Sequence, residues 1–436
     1  MMKHIFRYSW LALIFTIPFE SAQITVSGFD IRVHQIVLLG TLITGGIAYR
    51  NHILSKTRHI ATHLLKPSFV YQHIYPLLFT SVAFLFFLGG VFFGQDISAT
   101  FIRSAGLFGF IAMFGLVYYG IRSRNHLKQV FSTLFFASGV LIIVGLYEAI
   151  AFQIGWPNFM YFPGRVDSIF PEPNWFALFI SFIYALIIPL YYFSQSLKEK
   201  IWLLILLLGI TLSSILTMGR ASWLTIGIML IIFCIQIIVS TQKNRNLVPF
   251  LVTISAVSLF AIGLSQTGLT DFNVKDRFTS IFTHNLVIYE EDNDTGSNSA
   301  QEDRKSKPEK KVIRDVNVDI RYESYQTSIQ RATESPLIGQ GPTGEHNLFL
   351  GVLVGSGILG LSLYVTAMYL MLKQSTLFYN RAPQYSSFVS LGVVSLIITG
   401  MFNDSFLMGF VWLALAICAR IPDLIIDEDL DNVSTS

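Results

Sequence analysis

Apolar residues in this chain run in long Phe-, Leu- and Ile-rich blocks, without the period-2 alternation of transmembrane strands. A bilayer core takes about 20 apolar residues per helix. Candidate blocks are Phe6–Pro18, Ile36–Ala48, Ile74–Phe93, Phe101–Gly120, Val130–Ile154, Trp175–Phe193, Ile201–Thr217, Ala221–Ser240, Leu247–Leu264, Leu348–Met371, Tyr385–Phe402 and Phe406–Ala419. The pattern predicts an all-α polytopic membrane protein of about 12 transmembrane helices, the first two and last two of them short. Spans one to nine fall within residues 1–264 and spans ten to twelve within 346–420, followed by an acidic tail at 421–436. No charge stands out deep in a span, and no internal repeat is visible.

One connection is long: Ser265–Glu345, between spans nine and ten. Its middle, Glu290–Lys311, is polar and charged, with almost no apolar residues, and reads as disordered. The part that follows reads as helical, with Ile320, Tyr325, Ile329 and Ala332 roughly on one side. A long loop with a structured half is where a membrane enzyme keeps a cap over its site.

Lysine and arginine give the orientation. With the N-terminus inside, Arg50, Lys56, Arg58, Lys66, Arg122, Arg124, Lys128, Lys198, Lys200, Lys243, Arg245, Lys373 and Arg381 gather in cytoplasmic loops. The short outer loops hold only Arg32, Arg103, Arg165 and Arg220. Both termini are therefore expected in the cytoplasm and the long loop outside. The acidic stretch Asp423–Asp431 does not disturb this, because carboxylates count for little in the rule. The first block, with Lys3 and Arg7, is similar to a signal peptide. The would-be cleavage site reads Glu20-Ser21-Ala22, however, and glutamate is poor where a small residue is wanted, so a retained helix is expected.

Composition agrees. The 436 residues are 53% hydrophobic and 13% charged, against about 25% charged in soluble domains. Cys234 and Cys418 both lie inside apolar blocks without metal-ligand spacing, so redox and zinc chemistry are not expected. No Asp-x-Asp nucleotide-sugar motif, glycine-rich phosphate loop or ATP site is present. That argues against a cytosolic sugar-nucleotide enzyme, and no nucleic-acid partner is expected.

Three features on the expected outer side carry candidate chemistry. Thr217-Met218-Gly219-Arg220-Ala221-Ser222-Trp223 forms the tight turn between spans seven and eight. Arg220 either snorkels to lipid phosphates or binds an anionic group at the membrane boundary. Glu345-His346-Asn347 opens span ten, which continues with Gly351, Gly355, Gly357 and Gly360, a stripe suited to close approach of a neighbouring helix. A histidine at a helix N-terminus is held toward its neutral, basic form, as a general base for a hydroxyl requires; the plainer reading is a satisfied polar residue. Arg165-Val166-Asp167-Ser168-Ile169-Phe170-Pro171-Glu172-Pro173-Asn174 precedes span six and is at least a stiff connection. Arg321 on the loop helix is weaker by itself.

Taken together, His346, Asn347, nine residues, Gly357, two residues and Gly360 match the spacing found in the O-antigen ligase and O-antigen polymerase superfamily. The chain also resembles that family in its expected span number and its long outer loop before the histidine. Further shared features are Arg220 flanked by small residues, Arg165…Pro173-Asn174, and Arg321 ahead of Pro336-Leu337-Ile338-Gly339-Gln340-Gly341. The short stretch between Gly341 and His346 and the Glu290–Lys311 insert depart from the family pattern, and both bear on acceptor choice.

The resemblance implies a glycosyltransferase of the bacterial inner membrane. Such an enzyme moves a glycan from a polyprenyl diphosphate carrier to an acceptor hydroxyl on the outer face, with no cofactor or metal. It further implies that Arg220 and Arg321, with Arg165 in support, stabilise the diphosphate leaving group, that His346 orients or deprotonates the acceptor hydroxyl, that Asn347 fixes the His346 ring or contacts sugar, and that Arg165 and Asn174 contact substrate. The partners implied are a lipid-linked glycan donor, a glycan or lipid-linked acceptor, and membrane lipids. Ligase and polymerase share these motifs. A lipid-linked oligosaccharide transporter and a non-catalytic envelope assembly protein are the rival readings.

Overall fold

The structure, a computed structural model, describes residues 1–26, 29–49, 73–94, 96–158, 160, 164–240, 246–266, 285–290, 309–314, 316–342, 347–403, 406 and 408–434. In chain order its elements are α1 (Met2–Thr16), β1 (Gln23–Val26), β2 (Phe29–Arg32), α2 (Val33–Ala48), α3 (Ile74–Phe93), α4 (Ile97–Gly120), α5 (Arg124–Gln153), α6 (Pro173–Phe193), α7 (Leu197–Leu216), α8 (Arg220–Val239) and α9 (Leu247–Leu264). Then come β3 (Asn285–Glu290), β4 (Glu309–Arg314), α10 (Val316–Glu334), α11 (Leu348–Leu377), α12 (Pro383–Gly400) and α13 (Gly409–Ser434).

Eight helices, α3 to α9 and α11, are long and apolar enough to cross a membrane, and α2 is a shorter apolar helix. The chain is therefore a multi-pass α-helical membrane protein. Its outward faces fit lipid rather than water: Phe136, Ile143, Val248 and Leu259 stand 67% to 69% exposed, which in water would invite aggregation. Helices occupy all the expected blocks, but α1 and α2 have only 15 and 16 residues. Helix α12 is diluted by serines, and α13 runs on through the acidic stretch, with Pro422 inside it.

The interior is built from α6, α12 and α13. Helix α6 is buried on every side from Phe176 to Pro189, as a helix apolar all round should be. Helix α12 packs on α6, α8, α11 and α13. Its small residues permit this: Ser390 and Ser375 hydroxyls lie 2.8 Å apart, and Ser386 Oγ donates to the Ser375 carbonyl at 2.6 Å. Side-chain caps fix several helix starts, with Asp96 accepting from the Ala99 N–H and Ser123 from the His126 N–H.

Several expectations need correction. The Glu290–Lys311 stretch is not irregular at its ends: β3 and β4 pair antiparallel, Glu290 opposite Glu309 and Asn285 opposite Arg314. A second hairpin, β1–β2, follows α1. The glycine stripe of span ten does not serve only a neighbouring helix. Gly355 does face Phe86 of α3, but Gly357 breaks α11, with φ 66° and ψ −171°. The segment 336–341 docks there. Gln340 N–H donates to the Val354 carbonyl and Gly341 N–H to Gly355, while Ile358 N–H and Leu359 N–H donate to Pro336 and Leu337. Backbone groups freed by the break are thus satisfied by the loop, the condition for irregular chain inside a membrane protein. On the other side Gly89 and Gly90 of α3 leave room for this loop, since a Cβ at Gly89 would sit 2.5 Å from the Ile338 carbonyl oxygen.

Helix α10 packs on α11. Of the residues expected on one side of it, Tyr325 and Ala332 are half-buried, near the buried Ser328, whereas Ile329 is exposed. Nor is charge absent from the spans. Glu148, within the block Val130–Ile154, is fully buried.

Candidate functional site

Helices α7 and α8 are joined by the three residues Thr217, Met218 and Gly219. Thr217 N–H donates to the Ser213 carbonyl at 2.9 Å and Met218 N–H to Ile215 at 3.0 Å. Met218 then takes a left-handed conformation, φ 54°, which costs a non-glycine residue about 1–2 kcal/mol. Burial of its side chain offsets this. Thr217 Oγ1 accepts from the Gly219 N–H at 3.3 Å, and Trp223 Nε1 donates to the Ser214 carbonyl at 2.8 Å. Gly219 is the N-cap of α8, and a Cβ there would lie 2.8 Å from Ala177 Cβ of α6. The turn can seat against α6 because this residue has no side chain. Arg220 follows as the first residue of α8, half-buried.

Arg165 and Asn174 brace this turn. Arg165 Nε donates to the Thr217 carbonyl at 3.1 Å, and its Nη2 donates to Asn174 Oδ1, also at 3.1 Å. Val166 N–H donates to the Leu216 carbonyl at 3.2 Å. Arg165, Asn174 and the Arg220 turn, far apart in sequence, are thus one assembly. Arg165 and Asn174, both expected to contact substrate, also bind each other, and Arg165 binds the turn. The charge of Arg220 adds to the positive end of the α8 dipole, so this corner of the bundle favours an anion.

The second group sits at the start of α11. Asn347 is the N-cap: its Oδ1 accepts from the Phe349 and Leu350 N–H groups at 2.9 and 3.1 Å. Its Nδ2 donates to the Met401 carbonyl at the end of α12, 2.8 Å away. Tyr325 of α10 donates to that same carbonyl at 3.3 Å. The amide of Asn347 therefore ties α11 to α12. His346 lies outside the described residues. The chain just before it is held by Arg103 of α4, whose Nη1 donates to the Pro342 carbonyl at 3.0 Å. Arg321 is half-buried on α10, which is positioned by α11 rather than by the Arg220 turn. Helix α12 is the shared scaffold, packed on both α8 and α11.

Sequence reasoning missed two buried acids. Glu148 Oε2 accepts from the Ser168 N–H at 2.7 Å, and Asp167 is its neighbour. An acid inside an apolar block was the available signal. Glu20, noted only as a poor cleavage-site residue, is fully buried between Arg32 and the start of α13. It pairs with the Arg32 guanidinium and accepts from the Gly409 N–H at 2.7 Å. Burial pushes its carboxyl up to about 7, opposed by Arg32 and by the Gly409 and Phe410 N–H groups. These loops are stitched together, since Ser21 N–H donates to the Ile169 carbonyl at 3.0 Å and Phe170 packs edge-on against Phe410.

No protein-family model matches the chain, and no characterised protein matches its sequence.

Proposed function

We propose that this protein is a lipid-linked glycan transferase of the bacterial inner membrane, acting on the outer face. The observation that carries this reading is the convergence of Arg165, Asn174 and the Thr217 carbonyl on the turn that begins α8 with Arg220. A guanidinium held at a helix N-terminus suits the diphosphate of a polyprenyl-linked donor, whose leaving group gathers negative charge as the glycosidic bond breaks. At the bundle surface it lets the prenyl tail stay in lipid while the sugars lie toward α10. In this reading His346 takes the proton of the acceptor hydroxyl, Asn347 fixes the helix start beside it, and Arg321 supplies a second cation from the cap. Either ligation to a lipid-linked acceptor or polymerisation of repeat units fits.

The test is reconstitution with a polyprenyl diphosphate glycan and an acceptor, with EDTA present. A new glycosidic bond is expected. His346→Ala is expected to cost on the order of a hundredfold in turnover, the scale of a lost acid–base group. Donor consumption without a new bond, or full turnover by that variant, contradicts the reading.

Transport is the second reading, favoured by the broken helix α11 and the buried acid of α5, both common in transporters. Movement of donor between leaflets without a new bond decides for it.

A further inference from the structure

We infer that the groove between α1 and α5 binds one anionic phospholipid, with an acyl chain reaching the Phe15–Phe136 ring stack and the phosphate on Arg7 and Lys128. The groove measures about 410 Å³ and is lined by Leu11, Ala12 and Phe15 of α1 and by Ser132, Thr133 and Phe136 of α5. The small side chains of Ala12, Ser132 and Thr133 leave the hollow. Phe15 and Phe136 bound one end of it, stacked with their ring centroids 5.6 Å apart.

The other end is basic. Trp10 meets His126, ring centroids 6.4 Å apart, and Phe15 meets Phe136 further along both helices, so α1 and α5 run parallel. Buried Trp10 fixes this register: its Nε1 donates to the Leu116 carbonyl of α4 at 3.1 Å, and a Cβ at Gly120 would lie 2.7 Å from its ring. Arg7 stands one turn before Leu11, and Lys128 one turn before Ser132, each on the same helix face as the groove residue it precedes. Both side chains are exposed. The charge of Arg7 is felt by His126, which places its guanidinium over the first turns of α5. From Arg7 to Phe15 the helix rises about 12 Å, within the roughly 15 Å of hydrocarbon that one leaflet supplies.

The surrounding elements bring no carboxylate to these cations. Residues 1–19 and 121–147 contain no Asp or Glu, nor do α2 and α4, which also pack on α1. Glu199, at the start of α7, accepts from Ser194 Oγ at 2.9 Å, and Asp423 of α13 accepts from Tyr118. Among the described residues neither Arg7 nor Lys128 forms an ion pair. A bounded apolar slot with two such cations at its mouth matches a lipid that has both a chain and a phosphate. The lysine and arginine distribution is expected to set this end in the cytoplasmic leaflet, where basic groups between helices meet anionic headgroups.

This site is independent of the transfer reaction, and its test needs none. Native mass spectrometry is performed on the purified full-length protein with equimolar dioleoyl phosphatidylglycerol and dioleoyl phosphatidylethanolamine. One phosphatidylglycerol per chain should be retained, with a preference on the order of tenfold. Arg7→Gln/Lys128→Gln should lose the preference. Ser132→Trp, which keeps both charges but fills the groove, should lose it too. Lys198→Gln, an exposed cation at the start of α7, should keep it. Equal retention of the two lipids by wild type, or a preference that survives in either groove variant, overturns the inference. So does a lipid-free wild-type dimer that Ser132→Trp splits, which would give the groove to a second copy of the chain.

Discussion

Single residues at this end of the bundle are held in states that water would not give them. With its carboxyl pushed up to about 7 from an ordinary 4.5, Glu20 binds more protons folded than unfolded between those values. Its contribution to stability is therefore full below the unfolded value and is lost as pH rises through about 7. Thermal unfolding in detergent should show the wild type losing stability between about pH 5 and pH 8 relative to Glu20→Gln, which still accepts from Gly409. Parallel pH profiles for the two proteins would show that Glu20 does not titrate there. Glycines offer a sharper contrast. Gly357 has φ 66° and ψ −171°, and a side chain there would strike the Leu337 carbonyl. That backbone region is essentially confined to glycine, so Gly357→Ala should cost on the order of 3 kcal/mol. Gly360→Ala carries no such backbone penalty, but its Cβ would lie 2.3 Å from the Ser356 Cβ, which no side-chain rotation relieves, so it too should lower the melting temperature. The spacing of these glycines was legible in the sequence, but their physical use was not. Positive φ leaves no trace in hydropathy, whereas the cap at Asn347 is the sort of residue a helix start demands.

At the level of elements, hydropathy located helices well because each must bury or expose a whole apolar face to lipid. It failed where polar chain is satisfied by other polar chain: the 336–341 segment docked into α11, the β3–β4 hairpin, and α10 with Ser328 turned inward. Such partners lie far off in sequence, and no periodicity announces them. At the joint of α10, α11 and α12, Asn347 and Tyr325 share one carbonyl, that of Met401. Asn347→Ala removes both a helix cap and this tie, and should cost about 1–2 kcal/mol. Tyr325→Phe removes a single hydrogen bond and no helix cap, and should cost less, by the same melting measurement. Equal losses would place the joint elsewhere. Residues Gly296–Lys307, between β3 and β4, lie outside the described residues; their composition predicts that deletion leaves the protein in the membrane at near-normal level. Loss of membrane-inserted protein on immunoblotting would reveal an element essential to folding.

For the whole molecule, the interior helices α6, α12 and α13 form a scaffold, and the loops at the Arg220 end are joined through Ile169, Leu216, Thr217, Met401 and Gly409. The lysine and arginine distribution predicts that this end faces outward. Cysteine labelling of Ser297→Cys in intact cells stripped of outer membrane, and of Thr57→Cys only after permeabilisation, checks it; the reverse pattern inverts the topology. The candidate site was legible in the sequence as residue types with a family-like spacing. What folding adds is contact: Arg165 joins Asn174 to the turn that leads into Arg220. The most direct test is therefore the turnover of Arg220 variants in the reconstituted transfer reaction. Arg220→Lys keeps the charge but loses the planar fork, so it should fall well below wild type, with Arg220→Ala lower still. Lys198→Ala, exposed at the far end of α7, should match wild type. Wild-type levels of glycosidic bond formation by Arg220→Ala would contradict an anion site at this turn.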